Sequence, residues 1–226
     1  MIPGLSPGTI SLTLVDGHVI PVREFMTLYI YKEIFVDGCY DLPLDRSDPT
    51  ILDIGANTGL FALRMKQLYP SGRITCYEPF RPNFERLKNT ISVNRLDAVV
   101  PLQKAVGART GSARLYIHRR NVGGHSFFAT EAASSNDYVD VDVLGLDSVL
   151  GELHREVDLL KADCEGAEFE ILMTMTTEQA RKVRRVIIEP TPRLYDVKQL
   201  LGHMNSLGYR HERRDGLFLF SLPRDS

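Results

Sequence analysis

The chain carries little net charge, few cysteines and no long apolar run. Its 27 Lys and Arg residues against 29 Asp and Glu residues leave a formal net charge of −2, so electrostatics give no reason to expect a polyanionic partner. The three cysteines, Cys39, Cys76 and Cys164, share no metal-ligand spacing, which favours reduced thiols over a disulfide framework. No stretch approaches the roughly 18 consecutive apolar residues of a membrane span, and no signal-peptide pattern is evident. We therefore expect a cytoplasmic protein without a membrane partner, and the charge balance disfavours a nucleic-acid partner.

The residues that are present indicate one globular domain with an N-terminal elaboration. The 226 residues are 43% hydrophobic and 25% charged, which are ordinary values for a protein with a well-buried core. Residues 1–49 are predicted to form a small cap. Its β-rich runs turn at Asp16-Gly17, a hairpin signature, and "FMTLYIYKEIF" then predicts a short helix. Residues 50–226 are predicted to form the main domain.

From residue 50 onward, strand and helix patterns alternate. Apolar runs predict strands, with helical spacings of apolar residues between most of them, and the strands cover 51–54, 73–77, 99–105, 157–162 and 183–189. The alternation is lost between about 107 and 144, where we expect an insertion of antiparallel β structure or a long loop. The C-terminal "YRHERRDGLFLFSLP" predicts two strands that turn at Asp215-Gly216. A mostly parallel sheet that ends in an antiparallel pair, with alternating helices, is a doubly wound α/β domain.

The stretch "ILDIGANTGLF" (51–61) breaks a strand with glycine before a helical pattern begins. Gly55 would let the chain turn sharply at the carboxyl end of the first strand, and Gly59 would let a ligand or strand approach the helix start. The N–H groups at a helix start suit an anionic group. Glu78, in "CYEPF" after the second strand, can accept hydrogen bonds from both hydroxyls of a ribose. Together these features indicate a nucleoside site.

The glycine spacing narrows the class of nucleoside. "GANTG" is neither the dinucleotide pattern G-x-G-x-x-G nor the triphosphate pattern G-x-x-x-x-G-K-[ST]. Lys198 follows Tyr195 one residue too soon for the Tyr-x-x-x-Lys pair of a short-chain dehydrogenase. The remaining candidate is a cofactor with one ribose and no pyrophosphate, and S-adenosylmethionine fits that description.

Four segments resemble, in order and spacing, the FkbM-type methyltransferases. They are "ILDIGANTGLFALRM", "CYEPFRPNFERLKNTISVN", "LQKAVGARTGSARLYI" and "LLKADCEGAEFEILM", and the resemblance covers roughly Glu33 to Glu189. It implies a class I, Rossmann-like methyltransferase fold with a seven-stranded sheet, S-adenosylmethionine as cofactor and, usually, methyl transfer to a hydroxyl oxygen. The cofactor-binding residues implied by this match are Asp53, Gly55, Ala56, Asn57 and Gly59 around the methionine end, Glu78 and Pro79 at the ribose, Ala105 and Val106 near the adenine, and Asp163 and Cys164 beside the site.

Carboxylates follow the predicted fourth and fifth strands. Asp163 ends the fourth strand, where a side chain can face both methyl donor and acceptor; Glu165 follows it, and Glu189 ends the fifth strand. A carboxylate crowded by others has a raised pKa and can act as general base, so these three are candidate catalytic residues. Glu168 is expected to be a solvated residue of the following helix. Asp163 with Glu189 could also hold Mg²⁺ or Ca²⁺, but two carboxylates do not define a metal site and we assign none.

A histidine and the cap provide further candidates. His125, in "NVGGHSFF", is an alternative general base near neutral pH. Its glycine-containing segment could fold over the site as a lid, with Ser126 as a nearby hydroxyl. In the cap, Tyr31, Glu33 and Tyr40 are candidate acceptor-binding residues, although the aromatic rings would serve equally well to pack the cap on the core.

The sequence therefore favours an enzyme that O-methylates a small molecule, such as a sugar, natural product or other secondary metabolite, and releases S-adenosylhomocysteine. An amino-methylating nucleic-acid methyltransferase would carry a proline-aromatic motif such as N-P-P-Y where this chain has Asp163-Cys164-Glu165-Gly166. A nucleic-acid methyltransferase that acts on a ribose or a ring carbon, a protein or peptide methyltransferase and a non-catalytic nucleoside-binding module remain alternatives. No motif specifies the acceptor, its regiochemistry or the oligomeric state.

Overall fold

The computed structural model of the chain describes residues 10–117 and 137–223. Within these residues the strands are β1 (Ile10–Thr13), β2 (Val19–Val22), β3 (Thr50–Ile54), β4 (Arg73–Tyr77), β5 (Val99–Leu102), β6 (Ala105–Gly107), β7 (Gly111–Tyr116), β8 (Tyr138–Gly145), β9 (Leu159–Ala162), β10 (Arg185–Ile188), β11 (Arg210–Arg214) and β12 (Leu217–Ser221). The α-helices are α1 (Phe25–Tyr31), α2 (Leu60–Leu68), α3 (Arg81–Val93), α4 (Leu146–Gly151), α5 (Ala167–Met173), α6 (Thr177–Ala180) and α7 (Val197–Ser206), and a π-helical turn covers Lys32–Val36. None of the helices in this part of the chain combines the length and apolar character needed to cross a membrane.

The main domain is built on a seven-stranded sheet with the order β11-β12-β10-β9-β3-β4-β5. Five neighbouring strands of this sheet are parallel, namely β10, β9, β3, β4 and β5, and β12 and β11 add an antiparallel pair at one edge. The chain runs outward from β3 through β4 to β5 and then returns to place β9 on the other side of β3. This confirms the predicted class I, doubly wound α/β fold, and it makes the carboxyl ends of β3 and β9 the switch point at which such sheets bind ligands.

The two central strands are buried along their whole length because helices cover both faces of the sheet. Alternate residues pack to opposite sides, as strand geometry requires. Ile51 and Leu159 pack on the side of α2 and α3, whereas Leu52 and Leu160 pack on the side of α5 and α7. The apolar run of each strand carries one charge, so that a buried carboxylate and a buried ammonium face each other across the pair.

The hairpin and the helix predicted before residue 49 are present. The β1–β2 hairpin turns at Gly17, which has φ +88°. The predicted helix begins at Phe25, but its second half widens into the π-helical turn, in which the N–H of Asp37 donates to the carbonyl of Lys32 at 2.9 Å. Such turns are frequent at functional sites, and this one contributes Glu33 and Ile34 to the wall of the cavity described below.

The prediction of one strand over 99–105 was wrong, because this segment forms two strands, β5 and β6, in different sheets. The chain bends after Leu102, whose carbonyl accepts from the N–H of Lys104 at 2.9 Å, and Ala105 then joins a separate three-stranded sheet with the order β6-β8-β7. In that sheet β7 and β8 are antiparallel, as expected for the insertion, while β6 pairs with β8 in parallel. The C-terminal hairpin is confirmed at Asp215-Gly216.

Candidate active site

A cavity of about 290 Å³ opens at the carboxyl ends of β3 and β9. Its walls are the turn after β3 (55–58), the start of α2 (60 and 61), the residues after β4 (78 and 79) and those at the end of β9 (161 and 163–165). Residues of α1 and of the π-helical turn close it from the side of the cap. The cavity therefore lies at the switch point of the strand order, where the fold class places ligand sites.

The glycine turn is shaped by its contact with β9. Gly55 has φ +76°, and a Cβ on it would lie 2.0 Å from the backbone oxygen of Asp163, so no side chain fits there. The N–H groups of Gly55 and Ala56 both donate to the carbonyl of Tyr77 at 3.0 Å. At Gly59, with φ +86°, a Cβ would lie 2.7 Å from Cδ1 of Leu87 on α3. The first glycine thus allows the turn to approach the neighbouring strand, and the second allows α2 to pack on α3.

Glu78 is held at the end of β4 by two backbone donors. The N–H of Asn57 donates to its Oε2 at 2.8 Å and the N–H of Phe80 to its Oε1 at 2.9 Å. The residue is 6% exposed and lines the cavity. Burial raises its pKa to about 7, although both hydrogen bonds oppose this shift. The carboxylate is therefore fixed in position, and each oxygen retains a lone pair for a hydroxyl donor.

Lys161 is a buried cation on the cavity wall. It is 4% exposed, and its Nζ lies 3.2 Å from Oδ1 of Asp53 and 3.7 Å from Oδ2 of Asp163. The same Nζ donates to the carbonyl of Gly55 at 2.8 Å. Burial alone would lower the pKa of Lys161, but the charges of Asp53 and Asp163 raise it above its ordinary value. The ammonium therefore stays protonated.

Four carboxylates crowd the end of β9 and the cap side of the cavity: Glu33, Asp163, Glu165 and Glu189. The charge of Asp163, followed by burial, raises the pKa of Glu189 to about 7. Burial and then the charge of Asp163 raise the pKa of Glu165 to about 7, and burial also raises the pKa of Glu33. These shifts follow from like charges held together away from water, and they bring two glutamates close to the neutral range required of a general base.

A second hollow of about 300 Å³ adjoins the first and shares three of these carboxylates. It is lined by Asp163, Glu165 and Glu189 together with residues 190–193 of the loop after β10. Arg193 lies on its rim, 3.8 Å from the carboxylate of Glu165. Within the described residues no group of three or more His, Cys, Asp and Glu side chains is arranged to hold a metal ion.

Most of the residues singled out in the sequence line the main cavity. These are Glu33, Tyr40, Gly55, Ala56, Asn57, Glu78, Pro79, Asp163, Cys164, Glu165 and Glu189. Asp53 lies behind the cavity wall and is 0% exposed. Gly59 precedes α2 and faces Leu87 of α3, and it is not among the residues that line the cavity. Ala105 and Val106 are buried in β6, and Tyr31 stacks on Phe35 with ring centroids 5.4 Å apart. His125 and Ser126 lie outside the described residues.

The expectation that Glu168 is solvated was wrong, because its side chain is 0% exposed. Its Oε1 accepts from the hydroxyls of Tyr195 at 2.8 Å and Thr191 at 3.1 Å, and its Oε2 accepts from the N–H of Gly166 at 2.9 Å. Lys161 was not singled out at all. In both cases the sequence contains a signal, because a charged residue occupies a position where the spacing of apolar residues predicts a buried side chain. Lys161 interrupts the strand "LLKA", and Glu168 lies on the inner face of α5.

The strand order, the glycine turn and the carboxylate after β4 define a class I, Rossmann-like methyltransferase fold with its ligand cavity at the switch point. The family model of the methyltransferase FkbM domain matches residues 53–211, which is most of the chain. The chain belongs to the FkbM methyltransferase family.

Individual relatives agree with this assignment. Methyltransferase sdnD of Sordaria araneosa is 34% identical over 198 residues, which cover 74% of this chain and 76% of the relative. The 31-O-demethyl-FK506 methyltransferase FkbM of Streptomyces tacrolimicus is 24% identical over 229 residues, covering 87% and 86% of the two chains. The crystal structure of a methyltransferase FkbM from Methylobacillus flagellatus KT shares the fold with a TM-score of 0.51 at 16% identity, over 77% of this chain and 44% of that chain.

The contact between Gly55 and β9 yields a stability prediction. Gly55→Ala should lower the free energy of unfolding by at least about 2 kcal/mol, because the new Cβ meets a backbone oxygen and the residue keeps a positive φ. The matched control is Gly202→Ala in α7, where a Cβ meets nothing within 4 Å. That change should leave stability unchanged or raise it by up to about 1 kcal/mol. Urea unfolding measures both, and a Gly55→Ala variant as stable as the control would contradict the described turn.

The raised carboxylate pKa values yield a pH prediction. Glu78, Glu165 and Glu189 titrate near 7 in the folded chain instead of the ordinary 4.5, so between these values the folded state binds more protons than the unfolded state. The free energy of unfolding should therefore fall as pH rises from about 4.5 to about 7. In Glu78→Gln the fall should be smaller. Unfolding measured at pH 5 and at pH 7.5 tests this, and an identical fall in both proteins would contradict it.

Proposed function

We propose that the chain transfers a methyl group from S-adenosylmethionine to a hydroxyl oxygen of a small molecule, such as a sugar, natural product or other secondary metabolite, and releases S-adenosylhomocysteine. One observation carries the proposal. The glycine turn joins, within one cavity, a fixed carboxylate suited to a ribose and a cluster of carboxylates suited to deprotonating an acceptor. Membership of the family supports methyl transfer as the reaction class. The cluster of carboxylates supports a hydroxyl oxygen as the acceptor atom, because a carboxylate can remove the proton of the hydroxyl.

The cavity residues fit a cofactor with one ribose. Gly55 lines the cavity, and its lack of a side chain lets the turn lie against the backbone of Asp163. The two oxygens of Glu78, held by backbone N–H groups, are suited to accept from the two ribose hydroxyls. The start of α2 at Leu60 lines the cavity, and the positive end of a helix attracts a carboxylate. When bound, S-adenosylmethionine supplies an electrophilic methyl group on a positively charged sulfur, which the surrounding carboxylates complement.

The chain's own contribution to the reaction is alignment and proton removal. Glu189 lines both hollows, so it can reach an acceptor in the second hollow while facing the first. Its pKa of about 7 allows it to take a proton from a hydroxyl near neutral pH. Asp163, between the two hollows, can hold the acceptor hydroxyl while the proton leaves. We therefore assign Glu189 as general base and Asp163 as the residue that orients the acceptor.

The names of the relatives support a small-molecule oxygen acceptor. The Streptomyces tacrolimicus protein is described as acting on 31-O-demethyl-FK506, a compound defined by an oxygen that lacks its methyl group. The acid-lined hollow also argues against a polyanionic acceptor, because it would repel phosphate groups.

Transfer from methyl-tritiated S-adenosylmethionine tests the proposal directly. The purified chain is incubated with panels of hydroxylated small molecules, amines, peptides and RNA, and label is expected only in the hydroxylated panel. Glu189→Gln should lower kcat about 10²–10⁴-fold while the Kd for S-adenosylhomocysteine changes by less than about twofold. The rate of the wild-type enzyme should rise as pH increases through about 7, because the base must lose its proton.

Glu170→Gln is the control, since Glu170 is an exposed residue of α5 and should retain full activity. Labelling of RNA, peptides or amines would replace the proposed acceptor class. Full activity of Glu189→Gln would remove Glu189 as the base. A wild-type chain that binds S-adenosylhomocysteine but transfers label to none of the panels would indicate a non-catalytic nucleoside-binding module.

A further inference from the structure

Lys161 stands at a position where burial of a charge is costly. It belongs to the central strand β9, whose four residues are all buried, and it pairs in register with Asp53 of β3. Its hydrocarbon neighbours include Phe61, whose ring centroid lies 5.7 Å from Nζ. Buried ion pairs of this kind are often no more stabilising than apolar residues of similar volume. The pair therefore calls for an explanation other than stability.

The contacts of Lys161 point toward the cavity. Its Nζ donates to the Gly55 carbonyl at 2.8 Å, and this hydrogen bond links the glycine turn to β9. The same Nζ lies 3.7 Å from the Asp163 carboxylate. Lys161 thus contacts Gly55, which lines the main cavity, and Asp163, which lines both hollows.

The side chain of Asp53 contacts the cavity wall through Lys161. It is 0% exposed and does not belong to the cavity wall, whereas Lys161 does. The 3.2 Å separation between its Oδ1 and the ammonium makes it the buried counter-ion that keeps the lysine charged. The arrangement is a chain of contacts from Asp53 through Lys161 to the turn at Gly55.

We infer that Lys161 is a positioning residue of the cofactor site, which fixes the Gly55 turn and the Asp163 carboxylate, and that Asp53 acts as its counter-ion and not as a cofactor contact. The inference rests on the proposed function, because the cofactor product serves as its probe. It assigns to Asp53 an indirect role, in place of the direct contact implied by the family resemblance.

Calorimetric titration with S-adenosylhomocysteine and thermal unfolding, carried out on the same four variants, test the inference. Lys161→Met should weaken binding about 10- to 100-fold, as expected for loss of hydrogen bonds from a charged donor, and lower the melting temperature by about 10 °C because Asp53 is left uncompensated. The double variant Asp53→Asn/Lys161→Met should regain most of the melting temperature but not the affinity. Asp53→Asn alone should bind within about threefold of wild type, since an amide oxygen can still accept from Lys161.

Lys66→Met is the matched control. Lys66 is also buried, at 8% exposed, and donates to the carbonyls of Gly72 and Pro70, but it lies outside the cavity. Its loss should reduce stability and leave the affinity for S-adenosylhomocysteine unchanged.

The affinities separate the possible failures. A double variant that binds as tightly as wild type would make Lys161 purely structural, and at least tenfold weaker binding by Asp53→Asn alone would make Asp53 a direct contact; either result overturns the inference and leaves the proposed function standing. A wild-type chain that does not bind S-adenosylhomocysteine would overturn the proposed function, and the inference with it.

Discussion

The close approach of the Gly55 turn to the backbone of Asp163 is the constraint on which the site depends. The turn ends β3 and the aspartate follows β9, and a single added carbon would lie 2.0 Å from the Asp163 oxygen. Because the two strand ends touch, the segments after both strands face one cavity. The parallel pairing of β3 with β4 adds the carboxylate of Glu78 to the same space, although Glu78 and the carboxylates after β9 are far apart in the chain.

The contact between the two strand ends also brings several carboxylates close together, and some of them have partners that offset the negative charge. Five carboxylates line the cavity, at positions 33, 78, 163, 165 and 189, and Asp53 lies behind it. Unpaired buried charges are costly, so they either neutralise or find partners. Lys161 pairs with Asp53 and Asp163, and two backbone N–H groups hold Glu78. The pKa values of Glu33, Glu78, Glu165 and Glu189 are raised, and a raised pKa is a property that a general base needs near neutral pH.

Features set by local chemistry could be predicted from the sequence. Gly55, Gly59 and the Asp215-Gly216 turn all require a positive φ, and residues nearby in the chain reveal that requirement. The period of the apolar residues predicts the parallel strands and the helices between them. The strand order follows because sequential α/β units have few allowed topologies.

Features set by distant partners could not be predicted in this way. Glu168 reads as a solvated helix residue because its donors, Thr191 and Tyr195, lie in another segment. In the sequence, Lys161 is a charged residue within an apolar strand, and its counter-ion Asp53 lies on another strand, β3, so the local pattern does not reveal the pair. The strand over 99–105 divides because Ala105 finds a pairing partner in β8, a strand that the local pattern does not specify.

The central claim is that this cavity holds the methyl donor, and a crystal structure of the complex with S-adenosylhomocysteine tests it most directly. We predict that the ribose hydroxyls lie within hydrogen-bonding distance of the Glu78 carboxylate and that the amino-acid end lies beside the Gly55 turn, with Lys161 still on the Gly55 carbonyl. A nucleoside bound elsewhere, or bound here without contact to Glu78, would contradict the account.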